Sequence, residues 1–283
     1  RPMKTYPLAA EGEIKRYNYL WRMSPDRWAW EYLRRNPEFR ADAKSYTADS
    51  VSERTACHNI RILKSRGSQT LAERWGLIMM PDPNANGIHA DAVWNPRLFP
   101  DQVEVNVTPR AETETCDIYS RTMSVCKVTH LTDSVGREFL LLRGNGCVVQ
   151  IRCMGLSLLS MEDVRMKMIL PDFDSYDRKI KAQQEGMRVF GNDPDAETPM
   201  WTKTTQILRD GLVALDCMEI GLSRRETAIV LYGLQRVEAE WSNPNSTIKN
   251  ALKYVTRKAE ELRDGGYMVE LLGAQLGPQT QAA

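Results

Sequence analysis

Residues 246–262 have the sequence STIKNALKYVTRKAEEL, in which apolar residues recur at the spacing of an α-helix. The apolar positions that share one face of this helix are Ile248, Leu252, Val255, Ala259 and Leu262. Cations recur every four residues on a neighbouring face, at Lys249, Lys253 and Arg257. Such a helix can bury one face in a core and turn a basic face outward. The stretch therefore predicts an amphipathic helix that begins near Asn245 and Ser246 and continues to Asp264.

A shorter capped helix precedes this one along the chain. Ser223 and Glu226 have the spacing of a capping box, in which each side chain accepts a hydrogen bond from the other residue's amide. The helix is expected to end at Gly233, because glycine leaves a helix most easily. Arg224 and Arg225 occupy its first turn, where a cation is unfavourable to the helix dipole by about 0.3–1 kcal/mol. Because these arginines stand where the helix dipole disfavours cations, they are expected to have a further role, such as binding a phosphate.

The segment between the two helices, residues 234–245, contains apolar residues of its own and has room for two helical turns. A standard helix-turn-helix joins its helices by a tight turn of a few residues. The sequence therefore predicts a variant of that motif and leaves open which helix enters a DNA groove. Thr247 and Asn250 lie among the basic residues, and their short polar side chains can reach base edges.

The composition, with 42% hydrophobic and 27% charged residues in a chain of 283, is typical of a soluble globular protein with two or three domains. No apolar run approaches the roughly 20 residues that a membrane span needs. The net charge of +1 gives weak support to nucleic-acid binding, although residues 1–66 contain more Lys and Arg than Asp and Glu. A DNA contact must therefore depend on local basic stripes.

Catalytic and metal-binding patterns are not found in the sequence. The cysteines form no CxxC pair, and a site combining Cys116, Cys126 and His130 would match no standard zinc module. Reduced structural thiols of a cytosolic protein are the favoured interpretation. The phosphate-binding and nucleophile motifs of common enzyme families are missing as well. We therefore expect no enzyme, no cofactor and no metal.

The order of patterns along the chain predicts an α+β protein. We expect a helical N-terminal module at 1–75, a β-rich central region at 76–157 and a polar connector at 158–199. A helix-turn-helix-like DNA-binding domain should follow at 200–273, and a disordered tail at 274–283.

Within the helical module, Ser24-Pro25 predicts the start of a helix over Asp26–Arg35, which ends because Asn36 precedes a proline. A second helical pattern is predicted for residues 52–66. Its basic residues are Arg54, Arg61, Lys64 and Arg66. A solvated face is the usual interpretation of such a run, and a contact with the DNA backbone is the alternative.

The central region contains several strand patterns. Residues 76–80 form a short apolar run, and residues 103–107 alternate with a period of two. The strongest signal is Asn145-Gly146 between the β-rich segments 138–143 and 147–152, which predicts a hairpin with a type I′ turn.

Two parts of the sequence resemble a known family, the FseA-type activators of integrative and conjugative elements. The N-terminal similarity lies in Trp28-Ala29-Trp30-Glu31-Tyr32-Leu33-Arg34-Arg35-Asn36-Pro37. The C-terminal similarity, to a helix-turn-helix variant of proteobacterial regulators, lies in Leu208-Arg209-Asp210-Gly211-Leu212, Ala214-Leu215-Asp216, Ser223-x-x-Glu226-x-Ala228, Leu231-Tyr232-Gly233, Trp241, Gly265-Gly266-Tyr267 and Leu271-Leu272.

The resemblance implies a transcriptional activator of excision and conjugative-transfer genes, acting through an excisionase promoter. It also implies an antiactivator partner with a similar single helical domain, which binds the activator and blocks it. RNA polymerase is a further candidate partner, and no membrane is implied. A cytoplasmic, nucleoid-associated protein is expected on this basis.

The leading hypothesis is therefore a bacterial, sequence-specific activator that binds double-stranded promoter DNA. Its candidate DNA-binding residues are Arg224, Arg225, Thr247, Lys249, Asn250, Lys253 and Arg257. The alternative is a protein-interaction module that sequesters another regulator without contacting DNA. The basic stripe favours the first hypothesis, and the nearly neutral charge of the C-terminal part favours the second.

Overall fold

The structure is a computed structural model that describes residues 14–46, 50–57, 59–114, 118–160, 162–170, 172–191, 198–244 and 246–275. The chain divides into two compact units. The first, here called the helical unit, comprises Arg1–Trp21 and Thr198–Gly266, and the second, the sheet unit, comprises Arg22–Glu197 and Tyr267–Ala283. The chain is 45% helical and 20% strand, so the α+β prediction is confirmed. No helix in the described ranges is long and apolar enough to cross a membrane.

The sheet unit begins with two short helices whose ends follow from local sequence. Helix α1 spans Pro25–Leu33 with proline in its first turn, as predicted. Helix α2 spans Pro37–Ser45, and its N-cap Asn36 accepts hydrogen bonds from the amides of Glu38 and Phe39. The proline of each helix removes a backbone donor that would have no partner inside the helix anyway.

One mixed sheet forms the centre of this unit in the described residues. Its strands are β1 (Val51–Cys57), β2 (Ile60–Ser65), β3 (Val103–Pro109), β4 (Lys127–Thr132), β5 (Glu138–Gly144), β6 (Cys147–Gly155) and β7 (Val164–Ile169). Their order across the sheet is β1-β2-β4-β5-β6-β3-β7. The β2–β4 and β3–β6 pairs are parallel, and the other neighbours are antiparallel. Between β2 and residue 191 the unit also contains helices α3 (Thr70–Arg74), α4 (Ile118–Val125), α5 (Tyr176–Gly186) and the 3₁₀ helix Met187–Phe190.

The central hairpin β5–β6 confirms the strongest strand prediction. Its turn residues Asn145 and Gly146 have φ values of 52° and 65°, the left-handed backbone that a type I′ turn requires. Phe139 and Leu141 belong to one apolar cluster, and Leu140 and Leu142 belong to another. Because successive strand residues point to opposite faces, the hairpin is covered by apolar side chains on both sides.

The helix predicted for residues 52–66 is wrong, because this segment forms strands β1 and β2. Strand β2 pairs in parallel with β4, so that Ile62 lies opposite His130 and Leu63 opposite Leu131. Both Ile62 and Leu63 are buried. Pairing with a strand more than sixty residues away determines the structure of this segment. The local periodicity of the sequence does not reveal that pairing.

Two further predictions for the sheet unit need correction. Residues 76–80 form no strand, and only Leu77 makes an isolated bridge, to Trp94. The segment predicted as a polar connector contains edge strand β7, which its sequence did not predict. Strand β7 alternates between buried Val164 and Met166 and more exposed neighbours, but its polar composition hides that pattern. The predicted domain boundaries themselves stay predictions.

An aromatic cluster joins the two ends of the sheet unit. Phe39 makes edge-to-face contacts with Trp30 at 5.6 Å and with Trp75 at 5.7 Å between ring centroids. Helix α10, which spans Tyr267–Glu270, adds Tyr267, whose hydroxyl donates to the Trp75 carbonyl oxygen at 3.0 Å. Burial raises the pKa of the Tyr267 phenol above its ordinary value. The last turn of the predicted DNA-binding domain thus belongs to the core of the sheet unit.

The predicted tail is also partly wrong. Ala274 is 5% exposed, and its amide donates to the Met268 carbonyl oxygen at 2.9 Å. Residues 276–283 lie outside the described part of the chain.

The helical unit contains helices α6 (Lys203–Glu219), α7 (Arg224–Tyr232), α8 (Leu234–Glu240) and α9 (Thr247–Glu261). Helix α9 continues into a π-helical turn, Leu262–Gly266, where Gly265 has a φ of 125°. Helix α10 follows this turn. The N-terminal segment of the chain contributes Tyr17, whose hydroxyl donates to the Asp216 carboxylate on α6. The predicted capped helix, its successor and the short helical stretch between them are confirmed, although Asn245 lies outside the described residues.

Gly233 is the only residue between α7 and α8, and we predict that its replacement destabilises the helical unit. Its φ of 85° with ψ of 152° lies in a backbone region that is essentially restricted to glycine. Gly233→Ala should therefore lower the free energy of unfolding by about 1–3 kcal/mol, measured by urea denaturation. Open space surrounds the added Cβ, so the effect would come from the backbone.

Gly67→Ala is the matched control, because Gly67 also has open space around an added Cβ but no positive φ. It should be neutral or stabilising by up to about 1 kcal/mol. Equal effects of the two substitutions would contradict the argument from Gly233.

Candidate nucleic-acid interface

The apolar face predicted for α9 is buried in the helical unit. Its members are exposed by 5% or less: Ile248 1%, Leu252 4%, Val255 5%, Ala259 1% and Leu262 0%. Ile248 and Leu252 pack in one cluster with Ala228 and Ile229 of α7 and Val237 of α8. This apolar seam is confirmed, and it fixes which side of α9 faces solvent.

The opposite side of α9 exposes polar and basic residues. Asn250, Lys253, Tyr254 and Arg257 are all exposed and follow one another at intervals of three, one and three residues, so they share the outward side. Tyr254 is 48% exposed on this side. The side chains of Asn250 and Lys253 have no hydrogen-bond or ion-pair partner among the described residues.

Charges along α9 are separated by sign. Every cation of the helix, from Lys249 to Lys258, precedes both of its acids, Glu260 and Glu261. No acidic residue lies in the first turn, where the helix dipole would favour one. All charged side chains of the first three turns are therefore positive, an order of charges opposite to the one that stabilises an isolated helix.

Some of the predicted DNA-binding residues of α9 already have partners in the protein. Thr247 Oγ1 donates to Glu240 Oε2 at 3.0 Å. Arg257 Nε lies 3.5 Å from Glu261 Oε1 in an exposed pair, which contributes at most about 1 kcal/mol. These contacts leave the residues at the surface, so they compete only weakly with an external ligand.

Lys249 is held more firmly than its neighbours on α9. Its ammonium lies 5.3 Å from the ring centre of Trp241 and donates to the Asn243 carbonyl oxygen at 3.3 Å. Both partners belong to the loop that precedes α9. The sequence pattern gave no sign of this contact, because no regular spacing relates a loop residue to a helix residue.

The start of α7 adds a second exposed basic site in the helical unit. The capping box is present as predicted: the Ser223 amide donates to Glu226 Oε2 at 2.7 Å, and the Glu226 amide donates to Ser223 Oγ at 3.3 Å. Arg224 and Arg225 are exposed and have no ion-pair partner within the described ranges. The box fixes the first turn of the helix, so both arginines project from a rigid base.

Helix α8 is less suited to a polyanion. It contains Arg236 together with Glu238 and Glu240, and Arg236 pairs with Glu240 at 3.2 Å. Its short length and acidic surplus make α7 and α9 the better candidates, because both carry exposed cations. The two predicted basic sites, the first turn of α7 and the outward side of α9, thus belong to one compact unit. The acidic helix α8 lies between them along the chain.

Two half-buried polar residues, Asp210 on α6 and Tyr232 on α7, lie in the helices that support these sites. Burial raises the pKa of the Asp210 carboxyl on α6, and Arg209 partly offsets that effect through a contact of 2.7 Å. Burial, reinforced by the Asp210 charge, raises the pKa of Tyr232 on α7 to about 12. Both residues belong to the motif that carries the C-terminal resemblance.

The candidate metal ligands are not brought together in the described residues. Cys116 lies outside them, and no group of three His, Cys, Asp or Glu side chains within them could hold a metal ion. Burial raises the pKa of the Cys126 thiol to about 11, so this cysteine stays protonated at neutral pH.

Two family models match the chain. The model of a proteobacterial transcriptional regulator-like domain matches residues 14–78. The model described as "T6SS, Transcription factor, DNA binding domain" matches residues 170–272, a range that includes α6 to α9. These two matches support a DNA-binding transcription regulator. No curated protein matches it. Transcription regulators are generally not enzymes, in keeping with the exclusion of catalytic motifs above.

We predict that the regulator becomes more stable when the cations in the first turn of α7 are removed. The double variant Arg224→Gln, Arg225→Gln keeps good helix formers and removes two charges that oppose the dipole. The free energy of unfolding at low ionic strength should rise by about 0.3–1 kcal/mol for each cation, and the gain should fade in high salt.

Lys253→Gln is the control, because Lys253 is exposed in the middle of α9, away from either helix end. It should leave stability unchanged within about 0.5 kcal/mol. A loss of stability in the double variant would show that the arginines serve the fold.

Proposed function

We propose that the regulator is a sequence-specific transcription activator that binds double-stranded promoter DNA through α7 and α9. The observation that carries the proposal is the outward side of α9, where Asn250 and Lys253 are exposed and lack partners among the described residues. This helix lies within the range matched by the DNA-binding domain model. The apolar seam behind it gives the rigid support that a recognition element requires.

The candidate residues have different roles in this proposal. Lys253 and Arg257 on α9 and Arg224 and Arg225 on α7 contact phosphates, because exposed cations on rigid helices neutralise the DNA backbone. Asn250 reads a base edge, since an amide side chain can make a bidentate contact with adenine in the major groove. Thr247, at the start of the same helix, exchanges its bond to Glu240 for a polar contact with DNA.

Lys249 has a positioning role in the proposal. Its ammonium is occupied by Trp241 and Asn243, so it orders the loop that leads into α9. The proposed interface thus has about four phosphate contacts, which gives a slope of log affinity against log salt near −3.6. A whole-chain charge of +1 adds little long-range attraction to these contacts.

The proposed target genes follow from the resemblance and not from the geometry. Similarity to activators of integrative and conjugative elements supports excision and conjugative-transfer genes, controlled by an antiactivator with a similar helical domain. The description of the matched model supports genes of a T6SS as the competing target. Footprinting of the full-length protein on DNA upstream of both gene sets separates these targets. The proposal places the protein in the cytoplasm, on the nucleoid, with RNA polymerase as a further partner.

The interface is tested by charge reversal on α9. The double variant Lys253→Glu, Arg257→Glu should bind promoter DNA at least about tenfold more weakly, a loss of about 1.4 kcal/mol. Its salt slope should be smaller by about 1.8, because two phosphate contacts are lost. Fluorescence anisotropy with a labelled duplex over a series of salt concentrations measures both quantities.

The control for this experiment is Arg97→Glu, Lys127→Glu, which changes the net charge by the same amount. Arg97 and Lys127 are exposed in the sheet unit and have no ion-pair partner in the described part of the chain. If both double variants lose affinity equally, only net charge matters and the proposed interface is wrong. If the wild-type protein binds no DNA even at low salt, the protein-interaction alternative is favoured instead.

The positioning role of Lys249 is tested separately with methionine, which keeps an unbranched apolar stem but lacks the charge. Lys253→Met should reduce the salt slope by about 1, whereas Lys249→Met should leave the slope unchanged. Lys249→Met should instead cost about 0.5–1 kcal/mol of stability, the contribution of an exposed cation–π contact. A slope reduced equally by both substitutions would show that Lys249 also contacts a phosphate.

A further inference from the structure

The hairpin β1–β2, at one edge of the sheet, has a basic face in the described residues. Strand β1 pairs with β2 so that Ser52 lies opposite Lys64 and Arg54 lies opposite Ile62. Ser52, Arg54 and Lys64 therefore point to the same side, because residues two apart share a face and directly paired residues share it too. We call these three residues the hairpin face. Arg66, which follows β2, is exposed as well.

The cations of this hairpin are exposed and unneutralised. Arg54, Lys64 and Arg66 have no ion-pair or hydrogen-bond partner for their side chains among the residues that the structure describes. Arg54 and Lys64 are diagonal neighbours across the two strands, about 7–8 Å apart at their Cα atoms. Two cations at this separation repel each other, so the fold gains nothing from holding them side by side.

Acidic residues close to the hairpin are engaged elsewhere. Glu53 points to the opposite side of β1, where it pairs with Arg61 at 2.8 Å. Arg61 also lies 3.0 Å from Asp91, so Asp91 too is paired with a cation that lies away from the hairpin face. On the side of the hairpin face, Lys64 is followed across the sheet by Thr132 and then Glu138.

Glu138 does not neutralise the hairpin face. Its carboxylate accepts hydrogen bonds from the Ser157 hydroxyl and from the Leu158 amide. It also lies two strands away from Lys64, a separation of about 10 Å. The hairpin face is therefore a local positive surface, on which the Ser52 hydroxyl donates to the carbonyl oxygen of the facing Lys64 at 3.3 Å.

We propose that the hairpin face, with Arg54, Lys64 and Arg66, is a second phosphate-binding surface for the DNA that the regulator occupies. This inference rests on the proposed function and extends it from the helical unit to the sheet unit. A two-stranded ribbon that carries arginine, lysine and hydroxyl donors suits the sugar-phosphate backbone, to which half or more of protein–DNA hydrogen bonds go. Such contacts raise affinity without selecting sequence.

The hairpin face suits DNA better than it suits a membrane surface. An anionic membrane usually requires large apolar side chains beside the cations, and no exposed large hydrophobic residue of the described part lies in β1 or β2. Cations on an edge strand also prevent pairing with another chain. If the cations served only this protection, they would contact no phosphate, and their removal would leave the affinity for DNA unchanged.

The test uses the full-length double variant Arg54→Gln, Lys64→Gln in the anisotropy experiment on promoter DNA. The expected result is a salt slope smaller by about 1.8, from two lost phosphate contacts, with an unchanged ratio of affinities for promoter and scrambled DNA. Arg97→Gln, Lys127→Gln is the charge-matched control and should leave the slope unchanged. Asn250→Ala should show the reverse pattern, a lower specificity ratio with a nearly constant slope.

Each remaining outcome overturns the inference in a recognisable way. If the wild-type protein binds promoter DNA and the hairpin variant keeps its slope, the hairpin inference is wrong and the proposed function stands. An unchanged slope together with self-association in gel filtration assigns the cations to edge protection. If the variant instead loses binding to anionic vesicles, the surface serves a membrane. Failure of the wild-type protein to bind DNA removes both proposals.

Discussion

Burial of the apolar seam of α9 is the interaction on which the proposed interface depends. Complete burial of an Ile, Leu or Val side chain contributes about 1.5–3 kcal/mol, and the seam contains several of them at 5% exposure or less. Rotating the helix by one residue would expose Ile248 and bury Lys249, and an unpaired buried ammonium is strongly unfavourable. The seam and the charges therefore fix the same orientation. Asn250, Lys253 and Arg257 face solvent because no other rotation satisfies both demands.

Features encoded by neighbouring residues could be predicted from the sequence. The capping box at Ser223, the amphipathic pattern of α9 and the turn at Asn145-Gly146 each depend on residues a few positions apart. The structure reproduces all of them. The same locality explains why the basic stripe was visible: cations four residues apart on a helix share a face whatever the rest of the chain does.

Features that depend on distant pairing could not be predicted in this way. Strand β2 exists because β4 lies beside it in parallel, and its basic residues made the segment appear to be a solvated helix. Tyr267 follows the turn at the end of α9, yet its ring lies 5.5 Å from that of Trp94 in the sheet unit. The difference between Lys249 and Lys253 is of the same kind. Both occupy the basic stripe, but only Lys249 lies over the ring of Trp241, which a loop brings to it.

The net charge of the chain does not describe the charge of the surfaces that would contact DNA, because electrostatic interactions have a short range in salt. At physiological ionic strength the screening length is about 8 Å, so the DNA backbone responds to the few charges nearest to it. Many acids of the sheet unit are already paired with arginines, as Glu31 is with Arg34 and Arg35. Such pairs are neutral at a distance, whereas Lys253, Arg54 and Lys64 lack acidic partners in the described residues. A chain of charge +1 can therefore present cationic surfaces in both units, and its affinity for DNA should be set by local contacts.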